Sequence, residues 1–340
     1  MWLADQWEDY EVLDTSEGEK LERWGSYLLV RPDPQVIWTA ENKDKRWKHP
    51  NAHYHRSSRG GGEWEFFDLP RQWSIHYRNL TFHLKPFSFK HTGLFPEQAV
   101  NWDWCAEQIR KERESRRQEG ILEQHPVKVL NLFAYTGGAT VSAAAAGAHV
   151  THVDASKGMV TWARENAVSS GLADEPIRWL VDDCTRFVER ELRRGNTYDA
   201  IIMDPPSYGR GPKGEIWKME EQIYPFIRLC AGLLSDRPVF FLVNSYTTGL
   251  APSVLTYMLH LALRGREKQL KGTYEVQASE VGLPVTSTGL VLPCGSAGGG
   301  SGRTKQPLRS SWRGSWRLWF FLTWHSASII MSVVTTRRDF

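Results

Sequence analysis

Four carboxylates stand at or just beyond the ends of short apolar runs and carry most of the chemistry legible in this 340-residue chain: Asp154, Asp182, Asp183 and Asp204. Where strands feed helices, ligands bind at the carboxyl ends of the strands, which is where such residues fall. Asp154 closes the run His149–Val153, a place from which a carboxylate accepts both hydroxyls of a ribose. Asp183 stands directly before the helical stretch Cys184–Arg194, where an N-cap is a common use for Asp. Asp204 opens the segment Asp204-Pro205-Pro206-Ser207-Tyr208. A carboxylate there, with main-chain carbonyls such as that of Pro205 beside it, accepts protons from an amino nitrogen and keeps its lone pair directed at an electrophile. Tyr208 is placed to stack on a base turned out of its helix. The competing use is structural: Pro205-Pro206 ends the strand and Tyr208 packs in the core.

The turn after the first strand reads Leu130-Asn131-Leu132-Phe133-Ala134-Tyr135-Thr136-Gly137-Gly138. Its two glycines let the backbone pass close to a ligand without a Cβ in the way. It lacks the G-x-G-x-x-G that seats a pyrophosphate on a helix N-terminus. A cofactor with a ribose and no pyrophosphate fits better, and S-adenosylmethionine is the candidate. Cys105, Cys184, Cys230 and Cys294 lie far apart with no CxxC pair. That speaks against a disulfide scaffold or a Cys-rich zinc site and fits a reducing, cytoplasmic setting. The histidines lack acidic or Cys partners at ligand spacing, so no metal site is read.

Regular alternation of elements must position these groups. Val127–Phe133, His149–Val153, Ile177–Val181, Ala200–Met203 and Val239–Val243 read as short buried strands. Helical stretches fall near Ala139–Ala146, Gly158–Ser169, Cys184–Arg194, Lys218–Leu234 and Ser253–Arg264. This repetition specifies an α/β, Rossmann-like parallel sheet covered by helices on both faces. Before it, Trp73–Tyr77 and Leu80–Leu84 alternate as strands do, and residues 1–100 read as a small β-rich domain. The charged stretch Glu107–Glu123 reads as an exposed helix within a linker spanning 101–126, and the sheet domain covers 127–298.

Composition, with 41% apolar and 24% charged residues, is that of a globular chain and excludes a wholly disordered one. The net charge of +3 is uninformative, but its distribution is not. Lys43–Lys90 holds ten Lys/Arg against four acids, interleaved with His49, Tyr54, Trp64, Trp73 and Tyr77. Cations neutralise phosphates and rings stack on unpaired bases, so this island suits RNA; equally, the rings build the domain's own core. Residues 299–340 form a basic, Trp-rich tail unlike what precedes it, expected to be poorly ordered. Its uncharged run Leu318–Val334 is seventeen residues long and falls short of a membrane span, so no stable membrane association is expected.

Taken in order, Phe89-Lys90-His91-Thr92-Gly93-Leu94-Phe95-Pro96-Glu97-Gln98, Asn131–Gly138, Asp204–Tyr208 and Gly289-Leu290-Val291-Leu292-Pro293-Cys294-Gly295 resemble the class I S-adenosylmethionine-dependent methyltransferases. More narrowly, the chain is similar to the bacterial group related to large-subunit rRNA cytosine and guanine methyltransferases, over roughly Tyr10–Gly298. The resemblance implies that Phe133, Tyr135, Thr136 and Gly137 surround the methionine part of the cofactor. Asp154 would then hold the ribose, Asp183 the adenine amino group, and Asp204 would stand beside the activated methyl. Lys90, His91, Thr92 and Phe95 would come from a segment folded over the cofactor.

In the cytosine enzymes of that group a Cys follows the fifth strand. Here that strand runs into Asn244-Ser245-Tyr246-Thr247, with no Cys, which counts against cytosine-C5 chemistry. The reading is methyl transfer to an RNA base, rRNA being the expected partner, at nitrogen. A protein or small-molecule methyltransferase, an rRNA cytosine-C5 enzyme and a non-catalytic cofactor- or RNA-binding protein stay open. The glycine-rich, basic Gly209–Gly214 adds a loop placed to touch phosphate or to close as a lid.

Overall fold

The computed structural model describes residues 1–57, 61–87, 90–210, 216–246, 250–266, 269–270 and 273–303. The N-terminal part runs β1 (Trp2–Leu3), β2 (Tyr10–Ser16), β3 (Glu19–Trp24), β4 (Tyr27–Pro32), β5 (Ala52–Arg56), β6 (Gly62–Phe66), β7 (Trp73–Tyr77) and β8 (Leu80–Leu84). It is followed by α1 (Ala99–Gln118), β9 (Lys128–Leu132), α2 (Gly138–Ala145), β10 (His149–Asp154), α3 (Lys157–Ser169), β11 (Ile177–Val181) and α4 (Cys184–Arg194). Then come β12 (Ala200–Met203), β13 (Tyr208–Arg210), β14 (Ile216–Lys218), α5 (Met219–Ala231), β15 (Phe240–Ser245), α6 (Pro252–Arg264), β16 (Thr273–Pro284) and β17 (Val291–Arg303).

The five apolar runs form the parallel heart of an eight-stranded sheet ordered β1-β16-β17-β15-β12-β9-β10-β11. Strand order reverses between β9 and β12, and that switch point opens a crevice at their carboxyl ends. Only β17 runs antiparallel to its neighbours, joining β15 to β16. It continues to Arg303, five residues beyond the expected boundary at 298, because Gly299, Gly300 and Ser301 still pair with Leu242, Phe241 and Phe240. The tail from Thr304 onward, including Leu318–Val334, lies outside the described residues.

Strands β2 to β6 form a second, five-stranded sheet and β7–β8 a hairpin, so the N-terminal region is β-rich as expected. The first residues depart from it, since β1 pairs with β16 in the main sheet. Tyr54, Trp73 and Tyr77 are buried, so these rings of the basic island serve the core and are not offered to a partner. The hairpin also packs on α3, where Trp162 Nε1 donates to the His83 carbonyl and Asn166 Oδ1 accepts from the His83 amide. Helix α1 starts earlier than its charge pattern indicates. Its first half buries Trp102, Cys105, Ala106 and Ile109, and only the second half is the exposed, charged stretch. No helix among the described residues is long and apolar enough to cross a membrane.

Candidate active site

At the carboxyl end of β9 the chain turns sharply. Phe133 and Tyr135 hold left-handed backbone angles (φ 54° and 51°), which cost a residue with a Cβ free energy and mark ligand-binding turns. Gly137 is left-handed too (φ 83°) and begins α2; a Cβ there would lie 2.8 Å from the Ala163 Cβ. The conformation and the close helix approach both require glycine.

The turn is pinned by Asp154 at the end of β10. Its Oδ2 accepts from the Tyr135 amide and its Oδ1 from the Ser156 amide, each at 2.8 Å. Burial raises the Asp154 pKa, and the two amide bonds oppose that rise. Each oxygen keeps a lone pair, and the side chain lines a cavity of about 360 Å³.

That cavity collects His91, Phe95, Phe133, Tyr135, Asp154, Asp183, Asp204 and Pro205, eight of the residues expected there. Thr136 lines a small adjoining cavity of about 50 Å³ that Asp204 also borders, and its hydroxyl donates to the Gly93 carbonyl. Asp183 Oδ1 caps α4 through the Arg186 amide at 2.9 Å, and the residue also lines the cavity. Four expected residues line neither cavity, the first being Gly137, which packs against Ala163. Lys90 turns away, its ammonium 2.8 Å from the Pro32 carbonyl and its pKa lowered to about 8 by burial and by Lys20. Thr92 is fully buried beneath the turn. Tyr208 is 52% exposed on β13, while its neighbours Pro206 and Gly209 border the cavity. Residues 211–215 of the basic loop are outside the described residues.

Asp204 is the unusual member. Its Oδ1 is occluded from solvent and has no hydrogen-bond partner among the described residues. Burial, then the nearby Glu97, push its pKa up to about 7. A carboxyl whose folded pKa is raised costs stability as it ionises, so the cost is absent below pH 4 and grows up to pH 7. Asp204→Asn is therefore expected to stabilise the ligand-free protein at pH 8, by roughly 4 kcal/mol at most, with the gap closing toward pH 4. Thermal unfolding at both pH values checks this; a gap independent of pH contradicts the assignment.

Two residues that the sequence reading passed over belong to the site. Tyr246, just beyond β15, lines the main cavity, and its hydroxyl accepts a hydrogen bond from Gln98 Nε2. Both were accessible to inspection: Tyr246 follows a strand end, and Gln98 ends the motif that carries His91 and Phe95.

An occluded carboxylate oxygen, a ribose-type acceptor and the tilted, packed rings of Phe95 and Tyr135 (5.5 Å) fit an adenosyl sulfonium. His91, the one lining histidine among the described residues, has its pKa lowered to about 4, chiefly by burial, so it adds no positive charge near pH 7. Three carboxylates line the cavity, a charge balance that would suit a cationic sulfonium ligand. The family model for S-adenosylmethionine-dependent methyltransferases matches residues 36–216, more than half of the chain. The chain belongs to that family.

This methyltransferase is also similar to a solved S-adenosylmethionine-dependent methyltransferase from Agrobacterium tumefaciens, with TM-score 0.77 and 33% identity over 88% of this chain and 93% of that one. A methyltransferase structure from Streptococcus mutans shares the fold, at TM-score 0.64 and 16% identity over 87% of this chain and 76% of the other. Among curated proteins, ribosomal RNA large subunit methyltransferase K/L of Shewanella sp. strain MR-4 is 38% identical over 90 residues. The Syntrophotalea carbinolica protein of the same name is 35% identical over 119 residues. These matches span 26% and 34% of this methyltransferase and only 13% and 16% of those relatives.

Proposed function

We propose that this methyltransferase modifies RNA, with rRNA as the expected substrate, and that the methyl acceptor is an exocyclic nitrogen of a base. The observation that carries the nitrogen assignment is Asp204, an unpartnered carboxylate at the switch-point strand end, ready to accept N–H. Bound S-adenosylmethionine supplies a sulfonium methyl as electrophile. The chain's own residues do the rest. Asp154 and Asp183 hold the nucleoside by its polar edges, Phe95 and Tyr135 wall off water, and Asp204 orients the acceptor amine and draws on its proton as positive charge develops.

A covalent thiol route finds no support in the cysteines. Cys184 lines the cavity, yet its sulfur accepts from the Phe133 amide at 3.3 Å and burial pushes its pKa well up. Cys105 and Cys230 are fully buried thiols with raised pKa values, and Cys294 is raised by burial and by Glu97. Each single Cys→Ser variant is therefore expected to keep turnover within several-fold of wild type, since loss of a covalent nucleophile costs orders of magnitude. Single-turnover assays on all four check this, and a collapse in any one restores the thiol route. Free thiols are also what supports a cytoplasmic location.

The names of the curated relatives and the surface of the N-terminal region support RNA. Several cations of the basic island are used internally, Arg46 by Asp44 and Arg78 by Asp103. Lys45, Lys48, Arg56 and Arg71 stay exposed, as do Phe66 and Phe67. Labelled methyl transfer to unmodified rRNA transcripts tests the reading, with binding expected to weaken steeply between 50 and 200 mM salt. Label recovered only in protein or small molecules would overturn it.

A further inference from the structure

Tyr246 is unused in the scheme above, yet its surroundings are built. It lies two residues beyond Asn244, which stands level with Asp204 where β15 runs beside β12. Its ring packs on Phe95 at 5.6 Å, extending the wall made by Phe95 and Tyr135. A directed chain of amides fixes its hydroxyl. Asn101 Nδ2 donates to Asn244 Oδ1 (3.1 Å) and to Gln98 Oε1 (2.8 Å), and Gln98 Nε2 donates to the Tyr246 oxygen. Asn101, Gln98 and Asn244 are all buried.

Because the Tyr246 oxygen accepts from Gln98, its hydrogen is left to donate elsewhere, and no acceptor for it is found among the described residues. Burial, and then Asp204 and Glu97, push the phenol pKa well above its ordinary value, so it keeps that proton at any physiological pH. The cavity thus holds a carboxylate oxygen with no partner among the described residues and a hydroxyl whose oxygen accepts from Gln98 and whose hydrogen is left to donate.

We propose that Tyr246 is a substrate-reading residue which, paired with Asp204, selects the N=C–NH2 edge of a nucleobase. The amino group donates to Asp204 while the adjacent ring nitrogen accepts from Tyr246. Adenine, cytosine and guanine carry such an edge, whereas uracil and hypoxanthine present a carbonyl and a ring N–H in its place. A site built to hydrogen-bond an edge rejects the analogue lacking it, because its own polar groups are then left unpaired. The inference rests on the RNA reading and narrows its acceptor class.

The test uses the full chain with saturating S-adenosylmethionine, unmodified large-subunit rRNA transcript as substrate, and homopolymers as competitors. For wild type, at least one of poly(A), poly(C) and poly(G) is expected to compete at least tenfold better than both poly(U) and poly(I). In Tyr246→Phe that preference should fall to within threefold. Its kcat/KM on transcript should drop ten- to a hundredfold, with cofactor affinity within threefold of wild type. A merely structural defect lowers competition by every polymer alike and leaves the ratio standing. A preserved ratio in Tyr246→Phe, or no preference in wild type, overturns the proposal while leaving RNA methylation intact. Wild type that neither binds nor methylates any of these RNAs overturns the RNA reading and this inference together.

Discussion

Asp204→Ala is expected to lower the rate of methyl transfer by about two to four orders of magnitude, the range of general-base and orienting groups, while cofactor affinity changes only a few-fold. Interactions that strengthen only in the transition state cost rate and not binding when removed. Asp204 meets that description, since its buried Oδ1 has no partner among the described residues. Its protonation state sets the pH profile. With the carboxyl pushed up to about 7 by burial and Glu97, it is largely neutral at pH 6 and ionised at pH 8. Only the ionised form accepts the amine proton, so wild-type kcat/KM should rise through pH 7, a limb absent from Asp204→Asn. Single-turnover rates on transcript and calorimetric cofactor titration separate the two quantities. A variant that loses affinity and rate in equal proportion would place Asp204 in cofactor binding alone.

Asp154→Ala should weaken S-adenosylmethionine binding about ten- to a hundredfold or more, since hydrogen bonds to a charged group contribute ~1.5–3 kcal/mol each. The side chain has two duties. It accepts the Tyr135 and Ser156 amides that shape the turn, and it offers its remaining lone pairs to the ribose. Asp154→Asn keeps one amide acceptor and loses the charge, so its affinity should fall between those of wild type and the alanine variant. Wild-type-like affinity of Asp154→Ala in calorimetry would sink the assignment of the ribose site.

The parallel sheet was almost wholly legible because its strands are continuous apolar runs between turn residues. The run Ala200–Met203 coincides with β12, and Ile177–Val181 with β11. The hairpin was legible for the opposite reason, strict alternation in Trp73–Tyr77 and Leu80–Leu84. The end of β17 was not, since Ala297-Gly298-Gly299-Gly300-Ser301 carries neither apolar period nor turn signal. Helix α1 hid its buried half behind the arginines of its second half. Within the site, the carboxylates at strand ends stood out in sequence because position alone marks them. Which way Lys90 turns, and how the Tyr246 hydroxyl is held in the cavity, depend on contacts between distant segments. Arg31, 59 residues away, binds the Lys90 carbonyl, and Gln98, 148 residues away, binds Tyr246. That ion pairs such as Arg78–Asp103 use part of the basic island's charge was hidden for the same reason.

Nucleoside mass spectrometry of unmodified rRNA transcript after reaction with the enzyme and S-adenosylmethionine separates nitrogen from carbon methylation. A single base methylated at an exocyclic nitrogen is expected, formed by wild type and lost in Asp204→Ala. Recovery of 5-methylcytidine, or a covalent adduct with 5-fluorocytosine RNA that depends on any of the four cysteines, would contradict it.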